Sequence, residues 1–164
     1  MLKWIAVRSK PRSEKIASNG LTKKGIEVFL PIIKKRRQWS DRKKWVEFPL
    51  FSGYLFARIE LKNSIYVLNT HGVNTIVKFG DKVVTIDDDV INSIKLAWEG
   101  GYELLPMKYF SVGDQVKVIG GPMEGAIGIV EVKHKKNNRL VIKIDALQQA
   151  IAVHIETRLL ENIN

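Results

Sequence analysis

From residue 112 onward, the branched aliphatic residues occur in short clusters separated by turn-forming residues. Glycine, aspartate, proline and asparagine interrupt the chain at residues 113–114, 120–122, 125, 128 and 137–138. Turns this closely spaced leave room for short strands with tight connections. Closing the sheet removes the exposed edges that a domain of about 60 residues cannot otherwise protect. The pattern therefore predicts a small all-β barrel over residues 108–164.

The first hundred residues mix strand and helix signals. Residue 54 begins a run of aromatic and branched residues that is typical of a central strand. The predicted elements are a strand at 4–8, a helix at 11–24, a hairpin of 27–33 with 45–50, a strand at 54–59, a helix at 63–69, a hairpin of 73–79 with 82–86, and a helix at 87–98. Gly100, Gly101 and Pro106 mark a linker. We therefore expect an α+β class, with an α+β domain over 1–100, a linker over 101–107 and the barrel over 108–164.

Positive charge is concentrated in the first third of the chain. The 164 residues carry 27 basic and 17 acidic side chains, a formal charge of +10, and residues 1–50 alone hold 14 basic and 4 acidic ones. Such an imbalance favours a polyanionic partner, with nucleic acid first.

Residues 34–44 contain seven of these basic side chains, and Asp41 is the only acid among them. We expect a solvent-exposed hairpin tip that binds nucleic acid, because indole rings between the cations can stack on unpaired bases. The alternative is a merely solvated charged surface. The residues concerned are Lys35, Arg36, Arg37, Trp39, Arg42, Lys43 and Lys44. The sequence does not decide between DNA and RNA as the target, or between a duplex and a single strand.

No pattern typical of catalysis or metal binding is visible. The sequence contains no cysteine, which excludes thiol catalysis and cysteine-ligated metals. Residues 120–125 have glycines near phosphate-loop spacing, but Ala126 and Ile127 replace the required Lys and Ser or Thr. Asp87, Asp88 and Asp89 are explained by a helix N-terminus. We expect no enzymatic activity, no cofactor, no metal and no membrane segment, and we expect a cytoplasmic monomer.

Two stretches carry a family resemblance. Residues 37–56, which end in Pro49-Leu50-Phe51-Ser52-Gly53-Tyr54-Leu55-Phe56, resemble the N-terminal domain of NusG-type transcription elongation factors. Residues 113–118, with Gly121, Pro122 and Gly125, resemble the KOW motif of their SH3-like barrel. Residues 37–50 and 143–150 further resemble the specialised UpxY-like branch, which is close to RfaH.

The resemblance implies a factor that binds the clamp coiled coil of RNA polymerase and suppresses pausing, as an antiterminator for a surface-polysaccharide operon. Phe51, Tyr54, Phe56 and Ile91 match the apolar depression that receives the coiled coil, and Arg8 replaces a tyrosine that relatives tend to have. The plainer interpretation is that these aromatic residues belong to the core.

Further expectations come from the same resemblance. It implies that the basic segment 34–44 meets upstream duplex DNA, the non-template strand or nascent RNA. The family's DNA-facing surface maps onto Lys10, Lys23, Lys24, Thr70 and His71, although an ordinary exposed histidine also explains His71. A gate-loop contact stays open, because residues 63–65 read Asn-Ser-Ile instead of His-Thr-Thr. In the family the KOW domain meets ribosomal protein S10 or the termination factor Rho. The alternative function is a KOW-containing structural RNA-binding protein of the ribosomal type.

Overall fold

A computed structural model describes residues 1–38, 42–107, 113–130 and 137–163. The chain divides into two compact units, Met1–Thr85 and Ile86–Asn164. Over these described ranges, the first combines sheets with two α-helices, and the second combines one α-helix with an antiparallel sheet. The predicted α+β class with an all-β C-terminal region is therefore confirmed. The limits proposed for domains and linker stay predictions.

The elements of the first unit alternate between short strands and two helices. In chain order they are β1 (Lys3–Ser9), α1 (Glu14–Lys23), β2 (Glu27–Phe29), β3 (Ile32–Gln38), β4 (Lys43–Pro49), β5 (Tyr54–Ile59), α2 (Ser64–Leu68), β6 (Val73–Ile76), β7 (Lys78–Phe79) and β8 (Lys82–Val83). The two-residue strand β9 (Thr85–Ile86) falls at the division between the two units.

The main sheet of this unit has the order β2-β5-β1-β6, with β9 also paired to β1. Alternation along β1 and β5 places two sets of side chains on opposite faces. One face is covered by α1 and α2, and its core comprises Ile5, Val7, Leu55, Ala57, Ile59, Ala17, Leu21 and Val67. The other face carries Trp4, Ala6 and Arg8 of β1 across from Arg58, Phe56 and Tyr54 of β5.

The prediction of one strand over residues 27–33 is wrong. The chain forms β2, which pairs with β5, and then β3, which pairs with β4 in a separate two-stranded ribbon. Pro31 lies between them, and proline has no N–H to donate to a sheet. Its carbonyl instead accepts a hydrogen bond from Leu50 N at 2.8 Å, at the base of the ribbon. The basic segment is therefore not only a tip, because the paired strands themselves carry most of its charge.

Within its described residues, the second unit holds one α-helix and a six-stranded antiparallel sheet. Its elements are α3 (Asp88–Glu99), β10 (Leu105–Met107), β11 (Asp114–Val118), β12 (Ile127–Val130), β13 (Asn137–Ile144), β14 (Gln149–Glu156) and β15 (Leu160–Asn162), in the sheet order β10-β14-β13-β12-β11-β15. The core is almost entirely aliphatic, with Val118, Leu140, Val141 and Val153 fully buried. Helix α3 packs against β12 and β13. In the described part of the chain, no helix is long and apolar enough to cross a membrane.

Candidate functional sites

Three phenylalanine rings form an aromatic cluster in the first unit. Phe29 stacks on Phe56 with ring centroids 6.1 Å apart, and Phe51 meets Phe56 edge-on at 5.6 Å. The exposed fractions are 4% for Phe29, 2% for Phe51 and 0% for Phe56. The structure therefore brings two predicted polymerase-binding residues together, but as buried members of a cluster.

Tyr54 and Arg8 lie at the accessible margin of this cluster. They face each other directly across the β1–β5 pair, and Tyr54 is half-buried while Arg8 is exposed. The turn before Tyr54 is fixed by Gly53, whose φ of +83° favours glycine. Its N–H donates to Glu14 Oε1 at 3.0 Å, and its carbonyl accepts from Ser9 N at 2.9 Å. Backbone and side-chain bonds thus hold Tyr54 in a defined place.

Ile91 lies on α3, in the second unit, and is fully buried. Ser93 and Ile94 on the same helix are also buried. The five residues predicted to bind polymerase thus divide into three buried side chains and two accessible ones. Their role in polymerase binding stays a prediction.

The ribbon of β3 and β4 carries the basic cluster predicted from the sequence. Lys35, Arg36, Arg42, Lys43 and Lys44 are all exposed. Trp39 and the side chain of Arg37 lie outside the part of the chain that the structure describes. The ribbon therefore presents at least five cations to solvent, as expected of a surface that contacts phosphates.

Arg36 and Trp45 form a cation–aromatic pair on this ribbon. Arg36 is paired directly with Trp45, and its guanidinium carbon lies 5.9 Å from the centroid of the indole ring. Trp45 is 63% exposed. Arg36 thus contacts the ring while most of the indole surface stays open to solvent.

Glu47 is the one acid among the described residues of the ribbon. It is held by Lys15 of α1 at 3.4 Å and by Lys34, its cross-strand neighbour, at 4.0 Å. Because all three side chains are largely exposed, these ion pairs contribute little stability. These ion pairs matter for the charge of the ribbon. They offset the carboxylate of Glu47 at the base of the ribbon, and the cations farther from the base face no described carboxylate.

Lys24 and Thr70, both predicted to contact DNA, are hydrogen-bonded to each other. Lys24 Nζ donates to Thr70 Oγ1 at 2.9 Å and to the carbonyl of Tyr66 at 2.8 Å, and Thr70 Oγ1 donates to the same carbonyl at 2.8 Å. Thr70 is only 5% exposed. These bonds satisfy the carbonyl of Tyr66, in the last turn of α2. A structural role therefore accounts for the positions of the Lys24 and Thr70 side chains. No local pattern predicts this arrangement, because Lys24 lies 42 residues from Tyr66 and 46 residues from Thr70 in the sequence.

The remaining predicted DNA contacts are accessible. Lys10, Lys23 and His71 are exposed. Lys10 N donates to the carbonyl of Gly72 at 2.9 Å, which holds the start of the loop after β1 beside the turn that contains His71. Their contact with DNA stays a prediction.

A cavity of about 530 Å³ that sequence reasoning missed lies at one end of the main sheet. It is lined by Leu2, Lys24, Gly25, Ile26, Arg58, Ile59, Glu60, Asn63 and Tyr66. The pKa of Glu60 is lowered, first by a hydrogen bond from Lys62, then by the positive charges of Lys62 and the N-terminus. Among the described residues, no group of three or more His, Asp or Glu side chains is placed to hold a metal ion.

Comparison with protein-family models assigns the N-terminal part of the chain to a family. The family model described as "Transcription termination factor nusG" matches residues 2–95, more than half of the chain. The chain belongs to the NusG family. Members of this family are transcription factors rather than enzymes, and the match contains the aromatic cluster, the ribbon and the Lys24–Thr70 contact.

Solved structures of the NusG and Spt5 type are also similar. A structure titled "Domain interaction in Thermotoga maritima NusG" is 22% identical, has a TM-score of 0.51, and covers 100% of this chain and 98% of that one. A chain of the MjSpt4:Spt5 complex is 20% identical over 98% of this chain and 97% of that one, with a TM-score of 0.30. The first likeness supports the fold. No curated protein gave a significant match.

Proposed function

We propose that this NusG-family chain is an operon-specific antitermination factor that binds RNA polymerase through its N-terminal domain and suppresses pausing and termination. The observation that supports polymerase binding is the position of Tyr54, half-buried beside the Phe51–Phe56 pair and directly across from exposed Arg8. An aromatic anchor at the margin of a packed cluster, with a cation beside it, suits a partner helix that offers apolar and acidic side chains. The clamp coiled coil is the proposed partner.

The basic ribbon supports a second contact, with the nucleic acid of the transcription complex. Its exposed cations include Lys35, Lys43 and Lys44. Attraction to phosphate is long-ranged and independent of sequence, so the ribbon strengthens binding without choosing bases. Recruitment to one particular operon therefore depends on other groups. The expected target is an operon for surface polysaccharide. His71 is the exposed candidate for base contact.

The ribosomal-type alternative is not favoured, because the family match lies over residues 2–95 and not over the KOW-like segment. For the second unit we propose a protein partner of the kind that the family resemblance implies, either ribosomal protein S10 or Rho. The protein is proposed to act in the cytoplasm as a monomer.

The test is retention of core RNA polymerase by the immobilised full chain, followed by transcription on a template with a strong pause site. The proposal expects stoichiometric retention and shorter pauses. Retention without any effect on pausing or termination would contradict the proposed antitermination role. Absence of retention would contradict the proposed polymerase binding.

A further inference from the structure

The contact between Arg36 and Trp45 gives the ribbon a property that charge alone does not. Exposed apolar residues are common on protein surfaces and need no special explanation when they stand alone. Trp45 does not stand alone, because Arg36 contacts the ring from the paired position on β3 and Lys43 lies two residues earlier on β4. Residues two apart on a strand share a face, so indole, guanidinium and ammonium groups lie on one side of the ribbon.

We infer that this face of the ribbon, formed by Arg36, Lys43 and Trp45, binds an unpaired nucleic-acid strand by stacking a base on the indole. Lys43 and Arg36 then contact the flanking phosphates. The inference rests on the proposed nucleic-acid role of the ribbon and specifies its ligand. Stacking on an aromatic side chain tolerates every base, so the site selects strandedness and not sequence.

A base-paired nucleic-acid strand is a weaker ligand for this face of the ribbon. In a duplex the base faces are covered by their neighbours, and exposing one costs a few kcal/mol of unstacking. The cations of the ribbon still attract duplex phosphates, so duplex binding persists without a contribution from the indole. The difference between single-stranded and duplex affinity is therefore the measurable signature of the stacking site.

The charge pattern also favours a nucleic acid over an acidic protein. Glu47, the acid on this face among the described residues, is paired with Lys15 and Lys34, which offset the repulsion that its carboxylate would exert on a phosphate near Trp45. An acidic protein patch offers carboxylates but no flat ring for the open indole surface. If an acidic surface is the ligand, loss of Trp45 changes single-strand and duplex binding to the same extent.

The test measures binding of the full chain by fluorescence anisotropy. The probes are a labelled oligothymidylate of about 12 nucleotides, within the usual site size, the matching oligouridylate, and the thymidylate annealed to its complement. The variants are Trp45→Ala, Trp45→Phe and Phe79→Ala. Phe79 is a matched control, because it is 86% exposed on the separate β7–β8 hairpin with exposed Lys78 and Lys82 on either side of the turn.

We expect the wild-type chain to prefer single strands to duplex. Trp45→Ala should weaken single-strand binding by roughly 5-fold to 150-fold, the equivalent of one stacked base, and change duplex binding less than about twofold. Trp45→Phe should keep most of the affinity, and Phe79→Ala should match wild type. The salt slope of Trp45→Ala should stay unchanged, because no charge is removed. Whichever single strand binds more tightly identifies the source as DNA or RNA.

Three results would overturn the inference: no single-strand preference in the wild type, an equal loss on duplex for Trp45→Ala, or an equal loss for Phe79→Ala. Should Trp45→Ala fail to fold, Trp45→Leu repeats the test with an apolar side chain that cannot stack on a base, and an unchanged single-strand preference counts against the site. The probes contain no polymerase. Failure of stacking is thus separate from failure of polymerase retention, which tests the proposed function.

Discussion

The hydroxyl oxygen of Ser93 on α3 accepts a hydrogen bond from the backbone N–H of Ile127 on β12 at 2.8 Å. The same hydroxyl donates to the carbonyl of Asp89 at 2.6 Å, and Ser93 is only 1% exposed. A single side chain thus joins the helix to the first residue of a sheet strand. Replacing Ser93 by Ala leaves that N–H without its acceptor, so we expect a loss of about 1–3 kcal/mol in the free energy of unfolding.

Denaturant unfolding, together with hydrogen exchange at the Ile127 amide, measures this effect. Ser64→Ala is the control, because the Ser64 hydroxyl bonds to the carbonyl of Leu61 in an exposed place and should cost no more than about 0.5 kcal/mol. Equal stability of Ser93→Ala and wild type, with unchanged protection of Ile127, would show that the contact carries no free energy.

Gly20 lies in the middle of α1 because another side chain occupies the space of its missing Cβ. A Cβ built there would lie 2.6 Å from Thr70 Cγ2. Gly20→Ala gains about 1 kcal/mol of helix propensity, but the clash should outweigh it and leave a net loss of about 1–2 kcal/mol. Thermal unfolding of the full chain measures the net effect.

The variant Thr70→Ser provides the matched background. It keeps the hydroxyl that bonds Lys24 and Tyr66 but removes the methyl group, after which the nearest contact to the added Cβ is His71 O at 3.6 Å. In that background Gly20→Ala should be neutral or stabilising. A loss that is the same in both backgrounds means that the methyl group is not the cause.

Local sequence signals predicted the elements whose determinants are local. The run from Tyr54 gave the strand β5, and the acidic first turn and apolar spacing gave the helix α3, which ends within one residue of the predicted limit. Strand partners were harder, because pairing depends on long-range packing; β2 joined β5 and not the returning strand of the ribbon.

The candidate sites also divide into features that local sequence predicts and features that depend on distant partners. The charge of the ribbon and its exposure follow from composition, because a dense run of cations cannot be buried. The burial of Phe51 and Phe56 and the bonding of Lys24 to Thr70 depend on distant partners, and no local pattern encodes them. The direct pairing of Arg36 with Trp45 likewise requires the register of the hairpin, which the sequence alone left open.

The exposed lysines of the ribbon should control the salt dependence of nucleic-acid binding. Replacing Lys35, Lys43 and Lys44 by Gln removes up to three phosphate contacts, so the log–log slope should flatten by about 2–3 units. Stability should change little, because all three side chains are exposed. Titration of single-stranded and duplex probes over a range of salt concentrations measures the slope, and the single-strand preference should persist since Trp45 is intact. An unchanged slope on both probes would indicate a solvated surface without phosphate contacts.

The polymerase contact is best tested at Tyr54, because Tyr54 is an accessible aromatic residue at the margin of the phenylalanine cluster. Phe51→Ala removes a ring that is 2% exposed and should cost about 3–5 kcal/mol of folding stability, so weaker binding by that variant is ambiguous. Tyr54→Ala leaves the Phe51–Phe56 pair in place, and we expect it to weaken polymerase binding by roughly 2 kcal/mol with the fold intact. Tyr66→Ala is the control, since Tyr66 is an exposed tyrosine on α2, away from the cluster. Affinities come from titration of core polymerase against the full chain, with circular dichroism to verify folding. If folded Tyr54→Ala binds as tightly as wild type and Tyr66→Ala does not, the apolar contact lies at the α2 end of the main sheet and not beside Arg8.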